Sequence, residues 1–423
     1  MTGRPLKVLV LAHDPSNTGA PRQLLEVVDE WHRSERAAST VIFRRDGPLR
    51  AAYGAHQTFV LGLPHAATLW RRASGAKALL VKGSNTRQQQ THEPSVSRGQ
   101  AAFLRWTAAW DNAALSVRRL VTRVRPDVVL ANTATHGDII RATTGLPVVS
   151  WVHERADLLN RITLAGTVRQ QLHSSLKVAT VSSVVQQDLV EAYDISSERI
   201  SVVRPFLPSA SGTGIEKAAA RAALRRELGV DDDTVVVGGC GSLTWEKGSD
   251  LFVELAGFVH QLKVSPHIAF AWLGGSPDPH VRAQLASLAG ARGLGGMVTF
   301  LGPRPTAAAF LAGIDVLALP SRSDAYPLVV LEAASAGTPA VAFASGGGAP
   351  EFIRGDAGLV VPDQNLSEMG RAVVRLAERP GERERAGQVA MLRAQNELSL
   401  ADSAARLFEL LVEAAQGGQG GRV

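Results

Sequence analysis

The sequence predicts an α/β protein built from two doubly wound, parallel-sheet domains. Three observations carry that prediction. Two distant stretches open alike, as strand, glycine-bearing loop and helix. Short apolar segments rich in Val, Ile and Ala follow each opening, separated by helical patterns. A stretch dominated by Pro, Ser and Gly divides the two series.

The first series begins with the apolar strand Lys7–Ala12, passes through "HDPSNTGAPRQ" and enters the helical pattern Gln23–His32. "DVVLAN", "PVVSWVH", "VATVS" and "ISVVRP" follow as strands. The second begins with Val235–Val237, passes through "GGCGSLTWEKGS" and enters Asp250–His260. "IAFAWLGG", "VTFLG", "DVLALPS" and "PAVAFA" are its later strands. Near-continuous apolar strands suit a parallel sheet, because helices cover both of its faces. The dividing stretch opens as a linker and continues as a basic helix over Ala218–Leu228. The boundary is placed at Pro208, giving domains over 1–208 and 209–400. A C-terminal helix over 401–415 is expected to pack back toward the first domain, and 416–423, "QGGQGGRV", reads as a disordered tail.

Composition narrows the function. Of 423 residues, 45% are hydrophobic and 20% charged, enough to build real cores. One cysteine, Cys240, rules out an intrachain disulfide and favours a reducing compartment, so a cytoplasmic protein is expected. The only early apolar run, Val8–Ala12, is a strand and not a signal-peptide core. No stretch reaches the roughly 18 apolar residues of a spanning helix. The net charge of +6 is uneven: Arg71, Arg72, Lys77, Lys82, Arg87, Arg98, Arg105, Arg118, Arg119, Arg123 and Arg125 crowd one region. That region is either a solvated face or a contact with an anionic acceptor or membrane surface. Zinc spacing, an RNA-binding aromatic signature and a helix-turn-helix are all missing, which sets nucleic acid aside.

Four places have the pattern of a binding site, and each has a plainer alternative. Gly19 precedes a helix start, where free N–H groups attract an anion, or is an ordinary turn residue. Lys247 opens a helix after a Gly-rich strand end and can reach a diphosphate, or is solvated. The loop lacks Walker A spacing, and Cys240 beside it reads as packing. His153 stands at a strand's C-terminal end, where open α/β sheets bind ligands, or is a hydrogen-bonded structural histidine. Asp324 and Glu332 flank Pro327 at the start of an apolar helix that Gly337 ends. Asp324 alone passes for a cap. Glu332 does not: inside a helix read as buried, it needs a basic partner or ligand hydroxyls. "SGGGAPEFI" then adds a glycine loop and Glu351. Asp231–Asp233 reads as a polar turn, and no metal site is expected.

"PSRSDAYPLVVLEAASAGTPAVAFASGGGAPEFI" resembles the signature of retaining GT-B glycosyltransferases of family 4: two acids with seven residues between them, a Gly-Thr-Pro strand, then a Gly-Gly-x-Pro-Glu loop. "GSLTWEKG" is similar to that family's diphosphate loop, "NTGAPRQLL" to its N-terminal glycine loop, and "GLVVPDQN" to its later turn. The resemblance implies two Rossmann-like domains facing across a cleft, with nucleotide sugar held by the second and acceptor by the first. It implies that Glu332 binds the ribose and Asp324 the donor sugar, and that Ala325, Tyr326, Pro327 and Leu328 line the diphosphate and sugar. Lys247 would neutralise the diphosphate, Gly19 would approach it, Ser242 would sit in its loop, and His153 would stand near the transferred sugar. The family has Glu where Asp324 stands and Arg where Ser242 stands. Arg204 and Arg22 are candidates to replace the missing charge.

The resulting expectation is a retaining, metal-independent hexosyltransferase with His153, Asp324 and Lys247 as catalytic candidates. It needs no cofactor beyond its nucleoside-diphosphate sugar and transfers to a glycan, lipid or secondary-metabolite hydroxyl. It is soluble or attached to a membrane surface. The rivals are a non-catalytic sugar-nucleotide-binding subunit, a GT-B-like epimerase or phosphorylase, and a basic phosphate- or membrane-surface binder.

Overall fold

Thirteen strands order the described residues. The computed structural model describes residues 4–16, 18–63, 112–163, 166–207, 215–276 and 278–420. The chain divides into two units: Met1–Thr180 with Asp188–Ser201 and Ala404–Val423, and Val181–Gln187 with Val202–Ser403. Pro208 and the basic residues from Arg71 to Arg105 lie outside the described residues.

The first unit holds a seven-stranded sheet: β1 (Leu6–Ala12), β2 (Ala37–Phe43), β3 (Gln57–Val60), β4 (Val128–Asn132), β5 (Val148–Val152), β6 (Lys177–Thr180) and β7 (Ile200–Val202). Their order is β3-β2-β1-β4-β5-β6-β7, and the pairings from β3 through β6 are parallel. The strand order reverses between β1 and β4, the point at whose C-terminal strand ends open α/β sheets bind ligands. Leu9, Leu11, Val129 and Ala131 pack with Val117 and Leu120 from a helix over 112–124. The helix Gly19–Arg33 starts at Gly19, a turn earlier than the apolar pattern from Gln23 indicates.

From Ala404 onward the C-terminal helix also belongs to this unit; it runs Leu400–Gly420 and so continues past Ala415 into the stretch read as a disordered tail. Its Leu407, Leu410, Leu411 and Ala414 are buried, and the Trp31 indole donates to Ala404 O at 2.9 Å. That apolar stripe at helical spacing orders the helix despite the glycines that follow.

The second unit repeats the topology with six strands: β8 (Val235–Cys240), β9 (Ile268–Leu273), β10 (Val298–Gly302), β11 (Val316–Leu319), β12 (Ala340–Phe343) and β13 (Gly358–Val361). Their order is β10-β9-β8-β11-β12-β13, and every pairing is parallel. Phe252 packs edge-on against Phe270 and Trp272 at centroid distances of 5.4 and 5.1 Å. These rings tie the helix Ser249–Gln261 to β9, and each contributes about 1.5–3 kcal/mol by burial.

The basic helix, Lys217–Leu228, is more than a charged surface. Asp315, fully buried before β11, pairs with Arg225 at 2.6 Å and with Arg221, and accepts from Val236 N at 2.8 Å. A buried carboxylate needs such partners, and these lock the helix to the start of the sheet.

Candidate functional site

In the second unit, the residues singled out from sequence gather at the C-terminal ends of β8 and β11, beside the point where the strand order reverses. Lys247 Nζ donates to Asp324 Oδ2 at 2.5 Å, with the two side chains 31% and 10% exposed. Asp324 is therefore not a helix cap. The helix starts at Leu328, with Pro327 as its N-cap and no side-chain cap bond.

Glu332 lies on this helix half-buried, not buried as its apolar neighbours imply. Proximity is visible in Cys240 at the end of β8. Burial pushes that thiol up to about 12, the Glu332 carboxylate adds to the rise, and Lys247 opposes it. Cys240 is thus a neutral packing thiol with Lys247 and Glu332 both within electrostatic reach.

Main chain builds the walls. Gly248, at φ 68, caps the helix Ser249–Gln261, and a Cβ there would overlap Pro320 O. Gly347, at φ 66, lies so close to Asp324 that a Cβ would overlap its carbonyl oxygen. Only glycine accepts both the left-handed backbone and the approach. Gly348 N donates to Ala325 O at 3.0 Å, and Ser182 Oγ donates to the same oxygen at 2.9 Å. Ala325, Tyr326 and Pro327 are buried, whereas Leu328 is half-buried. Burial raises the Tyr326 hydroxyl far above its usual range, keeping it neutral.

Arg322 orders the outer loop. It forks onto Asp250 with two bonds of 2.7 Å, donates to Trp245 O at 2.9 Å, and lies 5.0 Å from the Trp245 ring centroid. Ser242 is exposed. Arg204 is exposed beyond β7, and its charge lowers the rise of Tyr326. Glu351 accepts from Ser183 N at 2.9 Å and Ser183 Oγ at 2.6 Å, so it serves the first turn of the helix Ser183–Tyr193.

In the first unit, His153 stands just past β5, its ring 4.4 Å from that of Trp151. Its Nε2–H donates to Asn132 Oδ1 at 2.9 Å, and burial lowers its pKa to about 3, so the ring is neutral. Around it lie residues that sequence reasoning did not single out. His136, fully buried, donates from Nε2 to Asn132 O at 3.1 Å, and its Nδ1 has no partner among the described residues. Thr133 holds φ 85, a costly angle for a β-branched residue and one that clusters at functional sites. Burial raises the Glu154 carboxyl to about 7, against backbone N–H donors from His153, Ala134 and Glu154. At the end of β1, Asp14 accepts from Arg45 at 2.8 Å, and the hydrogen bond from His13 holds its carboxyl far below the usual range. Arg44 forks onto Asp138 with two bonds of 2.8 Å. Their common signal is position: polar residues directly after β1, β4 and β5. Gly19 begins its helix behind Thr18 and lies in this unit with Arg22.

Among the described residues, no group of three His, Cys, Asp or Glu side chains is arranged to hold a metal, and no helix is long and apolar enough to cross a membrane.

Residues 234–379 match the model of "Glycosyl transferases group 1", and residues 78–209 match "Glycosyltransferase Family 4". A D-inositol 3-phosphate glycosyltransferase of Corynebacterium aurimucosum is 29% identical over 286 residues, 65% of this chain and 66% of its own length. The protein of that name from Corynebacterium efficiens is 32% identical over 250 residues, 58% of each chain. The chain spans between about half and just under two thirds of the length of such relatives. Among solved structures, Anabaena HepE in complex with UDP-glucose superposes with a TM-score of 0.72 at 18% identity, covering 96% of this chain and 100% of that one. A glycosyltransferase from Rickettsia africae gives 0.71 at 14% identity, covering 97% and 98%. The two matched models in chain order, over two sheets of this topology, make the chain a member of the GT-B glycosyltransferases of family 4.

Proposed function

We propose that the protein is a retaining, metal-independent glycosyltransferase that moves a sugar from a nucleoside-diphosphate sugar to an acceptor hydroxyl. One observation carries this reading: Lys247 pairs with Asp324 beyond the ends of β8 and β11, with Glu332 acting electrostatically on the same Cys240 as Lys247, beside backbone that only glycine permits. Lys247 is the cation for the diphosphate, Asp324 and Glu332 are acceptors for sugar and ribose hydroxyls, and the main chain from Ala325 to Leu328 lies alongside. The leaving diphosphate departs from one face of the sugar and the acceptor hydroxyl attacks from the same face, through an oxocarbenium-like transition state. Orientation and stabilisation of the departing charge supply the catalysis, with no enzymic nucleophile. His153, neutral and held by Asn132, is the candidate to stand near the transferred sugar.

HepE in complex with UDP-glucose supports a uridine donor as the first to try. The relatives' names support a phosphorylated polyol acceptor. Arg44 and Arg45 are already engaged with Asp138 and Asp14, so neither is a ready cation for such an acceptor. Incubation with a panel of nucleotide sugars tests the reading, and slow donor hydrolysis or transfer is expected. Ser242, exposed and uncharged in the diphosphate loop, favours the second reading, a subunit that binds nucleotide sugar without turnover. Binding without product formation would establish it.

A further inference from the structure

The two charges assigned to the donor face each other. Lys247 Nζ and Asp324 Oδ2 are 2.5 Å apart, and this is the one ion pair either makes among the described residues. Asp324 is the more sheltered partner, at 10% exposure against 31% for Lys247. Its main chain is held in place: Gly347 lies close against its carbonyl, and the next residue's carbonyl accepts from Gly348 N and Ser182 Oγ. Lys247 has a flexible stem ending in a point charge, so it is the partner able to swing.

We propose that Lys247 and Asp324 form an exchange pair that selects a nucleoside-diphosphate sugar over the bare nucleoside diphosphate. The inference rests on the donor roles given to these residues above. A diphosphate alone draws Lys247 away and leaves a sheltered carboxylate without its counter-charge, which is costly. A diphosphate joined to a sugar satisfies both residues at once: phosphate oxygens accept from Lys247 while sugar hydroxyls donate to Asp324. Once the sugar has been transferred, Asp324 has lost its hydroxyl donors and competes again for Lys247, which weakens the hold on the product diphosphate. No covalent step is involved, and the ammonium keeps its protons throughout.

Calorimetric titration with inorganic pyrophosphate, UDP and UDP-glucose tests this. In Asp324→Asn, pyrophosphate and UDP should each bind about three- to tenfold more tightly than in wild type, because Lys247 no longer has a competitor. UDP-glucose should gain less, so the preference for it over UDP shrinks. The gain must vanish when Asp324→Asn is combined with Lys247→Met, which separates the pair from a general loss of negative field. Unchanged or weaker pyrophosphate binding in a folded Asp324→Asn overturns the proposal, as does a gain that persists without Lys247. Lack of measurable pyrophosphate binding in either protein overturns it too. Should Asp324→Asn fail to fold, Asp324→Ser carries the same expectation. The pyrophosphate arm reports on the pair alone. A pyrophosphate gain beside failure of a full nucleotide-sugar panel would refute the transferase reading and leave the exchange at an anion site.

Discussion

Asn132 Oδ1 accepts from His153 Nε2–H at 2.9 Å, so the last residue of β4 fixes the tautomer of the first residue after β5. With Nε2 engaged, a sugar held as proposed above would meet the ring through Nδ1. Asn132→Leu should lower kcat about ten- to hundredfold while donor affinity changes little, because the ring loses its orientation. Asn132→Asp should raise the His153 pKa from about 3, since a carboxylate favours the imidazolium. Histidine-resolved NMR titration reads this shift. An unchanged titration would mean that Asn132 does not govern the ring.

Glu332→Gln should weaken nucleotide-sugar binding by about 1.5–3 kcal/mol, the worth of a charge-assisted acceptor. The side chain is half-buried, so the fold should tolerate the change. Unchanged donor affinity by calorimetry would make Glu332 a structural group.

Gly347→Ala adds a Cβ onto Asp324 O and imposes φ 66 on an alanine. The backbone alone costs about 1–2 kcal/mol, and Asp324 must also shift. Donor affinity should fall at least about tenfold, with a lowered Tm. Gly355→Ala is the control: its φ is 80, but nothing lies within 4 Å of a Cβ there. It should lose the backbone contribution to stability and keep donor affinity.

His136 should make the fold acid-sensitive. Burial holds its pKa well below 6.5 in the folded state. As pH falls below about 6.5, the unfolded chain binds a proton that the folded one refuses, so stability drops by up to about 1.4 kcal/mol per pH unit. Glu154, with its raised pKa, acts in the opposite sense between its ordinary value and about 7, so the comparison must be between proteins. Chemical denaturation at pH 5 and pH 7 should show a smaller loss in His136→Asn than in wild type. Equal losses would mean that His136 does not titrate as described.

Activity should survive excess EDTA, because Lys247 is the cation proposed for the diphosphate. Loss on chelation, restored by magnesium or manganese, would overturn that assignment.

The interior of both sheets was legible because central parallel strands are apolar on both faces: "VVVGGC", "IAFAWL" and "DVLALP" announce themselves. β3 and β13 did not. They are four-residue edge strands with half-exposed positions, and a strand flanked on one side needs no continuous apolar run. β2 opens "AAST", too small and polar to stand out before "VIF". At the site, Lys247 and Asp324 each drew notice through local pattern, yet their mutual bond is a tertiary fact linking positions 77 residues apart. Asn132, Thr133, His136 and Glu154 carry no motif. Only the topology that brings the ends of β4 and β5 side by side gives them meaning.

Gly248 against Pro320 and Gly347 against Asp324 are contacts of main chain on main chain. The path of this main chain is therefore separable from the charges beside it. A saturation library selected for folding and donor capture should be nearly blank at both glycines, yet permissive at Ser242, whose side chain is exposed. Engineers seeking a new donor preference have that freedom: charge at position 242 can be rewritten, Ser242→Arg included, without redrawing the loop that carries it.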